Sequence, residues 1–131
     1  MICCKRVYEP YEEADGYRVL VDRLWPRGVS KDRLQHDAWL RELAPSTALR
    51  RAFGHRAGAF EAFSQGYRRE LAAHPEHWQG LLARAGAGSV TLLYAARDQG
   101  RNNARVLQAF LEDELDRQAE SSSPVCYAGE L

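Results

Sequence analysis

Lysine is almost missing from this 131-residue chain: it stands only at Lys5 and Lys31, and arginine supplies the rest of the 18 basic residues. Eighteen acidic residues balance them, so the formal net charge is +0. No global field therefore draws the chain to nucleic acid, which is not the expected partner, although the arginines cluster locally. No apolar run approaches the roughly 18 residues of a membrane-spanning helix, so no membrane association is expected. The opening residues Met1-Ile2-Cys3-Cys4-Lys5-Arg6 lack an apolar signal-peptide core, and the expected setting is cytoplasmic. Cysteine is scarce and odd in number: Cys3, Cys4 and Cys126. Adjacent Cys3 and Cys4 would point to opposite faces of a strand, and no C-x-x-C or His/Cys spacing supports a structural zinc. The thiols fit a reducing compartment, as small buried residues. No histidine stands at ligand spacing from a second ligand, so neither metal nor cofactor is expected. The glycine patterns of dinucleotide and Walker sites are missing as well, as is any Ser-His-Asp or Cys-His arrangement.

What remains is an ordinary globular composition, 45% apolar and 27% charged. One domain over 1–117 and a mobile tail over 118–131 are expected. Ile2 to Val7 is short and apolar and reads as a strand. Asp15-Gly16 signals a turn, and Tyr17 to Val21 is a second strand. The link between them has only about nine residues, fewer than the dozen a helical crossover needs. Either the pair is antiparallel or a loop replaces the helix. Asp37 to Leu43 reads as a short helical piece ended by Pro45. Ser46 or Thr47 caps a helix running to Gly54. Phe60, Phe63, Tyr67 and Leu71 recur at helical spacing within Ala59 to Ala73, and Pro75 starts a further helix closed by Gly86 and Gly88. Ser89 to Tyr94 is nearly all apolar, as a buried central strand should be. A last helix from Asn103 to about Arg117 puts Val106, Leu107, Phe110, Leu111 and Leu115 on one face. These elements make a small three-layer α/β fold, a short, mostly parallel sheet flanked by helices.

In open α/β sheets, ligands bind beyond the carboxyl ends of the strands. Two loops leave such ends, Asp22 to Ser30 and Ala95 to Asn102. In the first, Arg23 and Arg27 offer a guanidinium fork for a carboxylate or phosphate, and Trp25 a face for a planar ligand. The plainer alternative pairs Asp22 with Arg23 and uses Trp25 to cap the core. In the second, small residues precede a helix start whose N–H groups favour an anion. There Asn102 or Asn103 could equally be only the N-cap. His55, at a helix end, is a candidate general acid/base or simply a partner of the helix dipole. His74 and His77 flank a helix start and are expected to be solvent-exposed. Tyr67 could be pure core.

Three stretches together resemble a known family: Tyr17-Arg18-Val19-Leu20-Val21-Asp22-Arg23-Leu24-Trp25-Pro26-Arg27-Gly28, then Leu43-Ala44-Pro45-Ser46 through Leu49-Arg50 and Phe53-Gly54-His55, then Thr91 to Ala96 with Asp98. The chain is similar over roughly residues 2 to 115 to the YeaO-like family of uncharacterised bacterial proteins, part of a larger domain-of-unknown-function group (DUF 488). The resemblance implies a three-layer α/β fold, a bacterial cytosolic setting, and recurrent positions at Asp22, Arg23, Trp25, Pro26, Arg27, Ser46, Arg50, His55, Tyr67, Tyr94 and Asp98. Two departures stand out. The family's His-Asn before the last helix is Asn102-Asn103 here, and Tyr94 and Arg101 stand where the wider group often carries cysteines, which argues against a thiol mechanism.

Two functions follow. In the first, the protein is an enzyme acting on a small anionic, phosphate- or nucleotide-like molecule: Arg23, Arg27 and Arg50 hold the anion, His55 or Asp98 moves protons, and Tyr94 donates a hydrogen bond. Asp22, Trp25, Ser46, Tyr67, Asn102 and Asn103 complete the ligand-binding set. In the second, the same arginines make a non-enzymatic module for an anion, a nucleic-acid end or a partner protein.

Overall fold

Alternation within one strand organises the molecule. In the computed structural model, Val90–Tyr94 forms β4, and all five of its residues are buried. Successive side chains leave a strand on opposite faces. Val90, Leu92 and Tyr94 accordingly enter one apolar cluster, and Leu93 another. A strand buried on both faces must be central. It pairs in parallel with β1 (Ile2–Arg6) on one side and β2 (Tyr17–Leu20) on the other. The description covers residues 1–53, 56 and 58–130, with side chains as far as 119.

The sheet is all parallel, in the order β1-β4-β2-β3. β1 and β2 are not neighbours, so their short link need not be a hairpin; a loop takes the place of a crossover helix. β3 is the two-residue edge strand Ala38–Trp39. This corrects the helical reading of Asp37 to Leu43: only Arg41–Leu43 turns, as a single 3₁₀ turn. Parallel pairing to β2 wins because Asp37 donates to the Arg18 carbonyl at 2.7 Å and Leu40 to the Leu20 carbonyl at 2.9 Å.

Four helices follow: α1 (Thr47–Phe53), α2 (Phe60–Ala73), α3 (Gln79–Ala87) and α4 (Asn103–Glu130). Pro75–His77 is a separate 3₁₀ turn rather than the start of α3. Phe60, Phe63, Tyr67 and Leu71 of α2 pack into the larger cluster, as do Val106, Leu107, Phe110, Leu111 and Leu115 of α4. Helical backbone continues past Arg117, where the apolar periodicity ends. Among the described residues, every helical apolar side chain of the two clusters lies on this one face. The opposite face is covered by loop: Val7, Trp25, Val29 and Leu34 pack there with Leu20, Leu93 and Trp39. The third layer is thus irregular chain, which lets polar groups reach the sheet.

They do so at the start of β2. Arg18 is only 3% exposed and pairs with Asp15, which also takes Lys5 at 3.2 Å. Gly16 makes this turn possible: its φ is +68°, and a Cβ there would lie 2.2 Å from the Ser89 carbonyl oxygen. Cys3 is exposed, so the expectation of buried thiols fails there; as an outward residue of an edge strand it meets no covering helix. Cys4 faces α4, where its thiol donates to the Ala104 carbonyl at 3.4 Å, and burial pushes its pKa up to about 12.

Candidate functional site

The two loops expected to form a cleft do meet, but a side chain of the protein joins them. Asp22 stands two residues past the end of β2. Its Oδ2 accepts the Ala95 N–H at 2.9 Å and its Oδ1 the Asn103 Nδ2 at 3.1 Å. The carboxylate therefore sits where an external anion would meet the loop after β4. Burial raises the Asp22 pKa, while the bonds from Asn103 and Ala95 and the charge of Arg50 oppose the rise. Asp22 and Arg23 form no ion pair with each other among the described residues.

The loop after β4 is equally occupied with itself. Asp98 Oδ1 accepts the N–H groups of Gly100 and Arg101, both at 2.9 Å, and these bonds hold its pKa below the ordinary value. Asn102 is the N-cap of α4: its Oδ1 accepts the Arg105 N–H at 3.0 Å, and its Nδ2 donates to the Asp98 carbonyl at 2.8 Å. Tyr94 is 1% exposed, and burial raises its pKa. His55 lies outside the described residues.

Trp25 has little surface left for a ligand. Its ring meets His36 and Trp39 edge-on, each at 5.3 Å, and its Nε1 donates to the Val29 carbonyl at 2.6 Å. Lys31 Nζ stands 5.8 Å from the ring. Arg27 is exposed and its carbonyl accepts the Tyr8 hydroxyl at 3.0 Å. Its guanidinium makes no ion pair among the described residues, and it is not part of the cavity that Arg23 lines.

That cavity is open, has a volume of about 730 Å³, and lies between the segment Glu42 to Leu49 and the C-terminal half of α2. Arg23, Ser46 and Tyr67 share its wall with Arg69, Glu70 and His74. Glu70 is fixed in place: it accepts the Ser46 N–H at 2.9 Å as well as the Ser46 hydroxyl. That hydroxyl in turn accepts the Leu49 N–H at 3.1 Å, capping α1. Tyr67 is the wall itself, 1% exposed, with its hydroxyl donating to the Leu43 carbonyl and its pKa raised by burial. Arg23 and Arg69 have no acidic partner among the described residues. The structure thus groups Arg23, Ser46 and Tyr67 at the cavity, and Asp22 with Asn103 at the loop junction. It separates both from Arg27.

Sequence reasoning missed Glu70, Arg69, His74 and His77 at this cavity. A signal existed: Tyr67, Glu70 and His74 recur at i, i+3 and i+7, one face of a helix. The structure also draws His74, Glu76 and His77 together, their ligand atoms within 4.8 Å of one another, which corrects the expectation that no histidine stands at ligand spacing from a second ligand.

Fold and site define a small α/β protein with an all-parallel four-stranded sheet and a ligand-sized cavity at its helical layer. The family model of the inactive DUF488-N3 subclade matches residues 1–128, and the chain belongs to this YeaO-like DUF488 family. It is 46% identical over 110 residues to the uncharacterized protein YeaO of Escherichia coli K12, covering 84% of this chain and 96% of that one. It is 38% identical over 110 residues to the uncharacterized protein Rv3073c of Mycobacterium tuberculosis H37Rv, covering 81% and 89%. No solved structure matches it. Among the described residues, no helix is long and apolar enough to cross a membrane.

Proposed function

We propose that this chain is a cytoplasmic, non-catalytic binding module whose cavity takes a small molecule bearing an anionic group, held by Arg23. The observation that carries this reading is Arg23 itself: a guanidinium without an acidic partner among the described residues, in the wall of a cavity of about 730 Å³ that Arg69, likewise without one, also lines. A guanidinium forks onto carboxylate or phosphate through paired N–H groups. Glu42 and Glu70 in the same wall interrupt its positive charge and argue against a nucleic-acid backbone, which needs a continuous cationic track.

Binding is favoured over catalysis by the state of the expected proton carriers. Asp98, one of the two, is held as a carboxylate by two backbone N–H groups, and Tyr94, the expected hydrogen-bond donor, is 1% exposed. Neither lines the cavity. The subclade's description as inactive points the same way. An enzyme acting on the same anion is the second reading, favoured by the presence of His74 and His77 in the cavity wall.

The test is calorimetric titration with inorganic phosphate, followed by nucleoside monophosphates and small carboxylates. Arg23→Ala should weaken binding at least about tenfold, the scale of one charge-assisted hydrogen bond. Arg27→Ala should leave it unchanged. Equal affinity in the Arg23→Ala variant overturns the reading, and conversion of the bound molecule by the native chain replaces it with the enzymatic one.

A further inference from the structure

We propose that His74, Glu76 and His77 form a binding site for a divalent transition-metal ion at the rim of the cavity. The three side chains lie on one tight turn between α2 and α3, Pro75–His77 with His74 as its N-cap. In a 3₁₀ turn, residues three apart stand one above the other. His74 and His77 accordingly stack, with ring centroids 4.9 Å apart and planes 14° from parallel. Both rings turn a nitrogen to the same oxygen: Glu76 Oε2 lies 3.1 Å from His74 Nδ1 and 3.8 Å from His77 Nε2. All three ligand atoms fall within 4.8 Å of one another. Ligands about 2 Å from a tetrahedral ion stand roughly 3.3 Å apart, so small side-chain rotations would close the set around an ion.

The turn that carries these groups is anchored. Pro75 restricts its first residue, and the His77 and Trp78 N–H groups return to the His74 and Pro75 carbonyls at 3.0 and 3.1 Å. Trp78 is 6% exposed, donates to the Leu71 carbonyl at 2.7 Å and packs edge-on against Phe110. A turn pinned to the core at its end loses little further freedom when its side chains take a common ion.

Donor chemistry selects the ion. Two imidazoles and one carboxylate suit zinc, cobalt, nickel or copper rather than magnesium or calcium, which prefer oxygen alone. Three protein ligands leave at least one position open, and both histidines line the cavity. An ion there would add positive charge to a wall in which Arg23 and Arg69 are offset by Glu42 and Glu70. The metal site does not depend on the anion reading, because its ligands are complete without Arg23.

The full-length chain, stripped with chelator and kept reduced, is titrated with cobalt(II) and followed by visible absorbance, with zinc(II) uptake measured by equilibrium dialysis. One equivalent should bind without a thiolate-to-cobalt charge-transfer band. His74→Ala and His77→Ala should each weaken binding tenfold or more, and Glu76→Gln should weaken it less. Circular dichroism confirms that these exposed positions leave the fold intact. Arg23→Ala should keep full cobalt binding even where it loses phosphate, which separates the two readings. No uptake by the native chain overturns the proposal. So does unchanged uptake in the His74→Ala/His77→Ala double variant, or a thiolate band that places the ion on Cys3 or Cys4.

Discussion

Strand β2 is bracketed by two aspartates that fare in opposite ways. Asp15, just before it, meets cations: Lys5 at 3.2 Å and the buried Arg18. Asp22, just after it, takes hydrogen bonds from neutral donors, the Ala95 N–H and the Asn103 amide, with the charge of Arg50 a smaller influence. Burial disfavours the charge of both, yet the bonds to Asp15 from the Glu12 backbone, Lys5 and Arg18 win and lower its pKa. At Asp22 they do not win, and its pKa is raised. The lesson is that the aspartate at the amino end of the strand is ion-paired, whereas the one at the carboxyl end is hydrogen-bonded and makes no ion pair among the described residues. There Arg23 and Arg27 project without acidic partners among the described residues, and ligand binding becomes physically reasonable.

The largest effect that would test this contrast is at Asp15. Asp15→Ala leaves the buried Arg18 guanidinium without its carboxylate, with the Gln35 carbonyl and the Tyr11 ring remaining, and should cost about 3–5 kcal/mol in urea unfolding. Asp22→Ala strands two neutral donors instead and should cost about 1–3 kcal/mol. A loss at Asp22 as large as that at Asp15 would break the comparison.

The pH dependences should have opposite signs. Asp15, lowered from 3.8, contributes stability that is present above 3.8 and lost as pH falls through its folded value. Asp22, raised from 3.8, contributes stability that is present below 3.8 and lost as pH rises through its folded value. Chemical unfolding from pH 3 to 7 should therefore show native minus Asp15→Asn rising with pH, and native minus Asp22→Asn falling. The smallest effect is expected at Arg23: Arg23→Ala should change stability by less than about 0.5 kcal/mol, even as it abolishes phosphate binding. A larger loss would mean that Arg23 holds structure rather than ligand.

Particular elements show what could be read in advance. The all-apolar run of β4 marked a central strand, and the i, i+3, i+7 spacing of Phe60, Phe63 and Tyr67 marked α2, because burial on two faces and on one face leave different periodicities. The two loops at the strand ends were placed correctly for the same reason. β3 was illegible: two residues carry no period, and only the edge of β2 makes them a strand. The cavity was illegible too, since Arg23 and Glu70 lie 47 positions apart and come to share its wall only through packing of α2 beside Ser46.

The sequence by itself determined the α/β class, the central strand, the helical faces and the family, because each is written in local spacing and in the run from Val21 to Gly28. Only the tertiary structure decided which polar groups are spent. It tied Asp22 to the loop after β4, turned Asp98 and Asn102 inward onto their own backbone, and left Arg23 facing a cavity with two histidines. Whether a polar side chain is free for a ligand depends on partners distant in sequence, and local pattern carries no information about them.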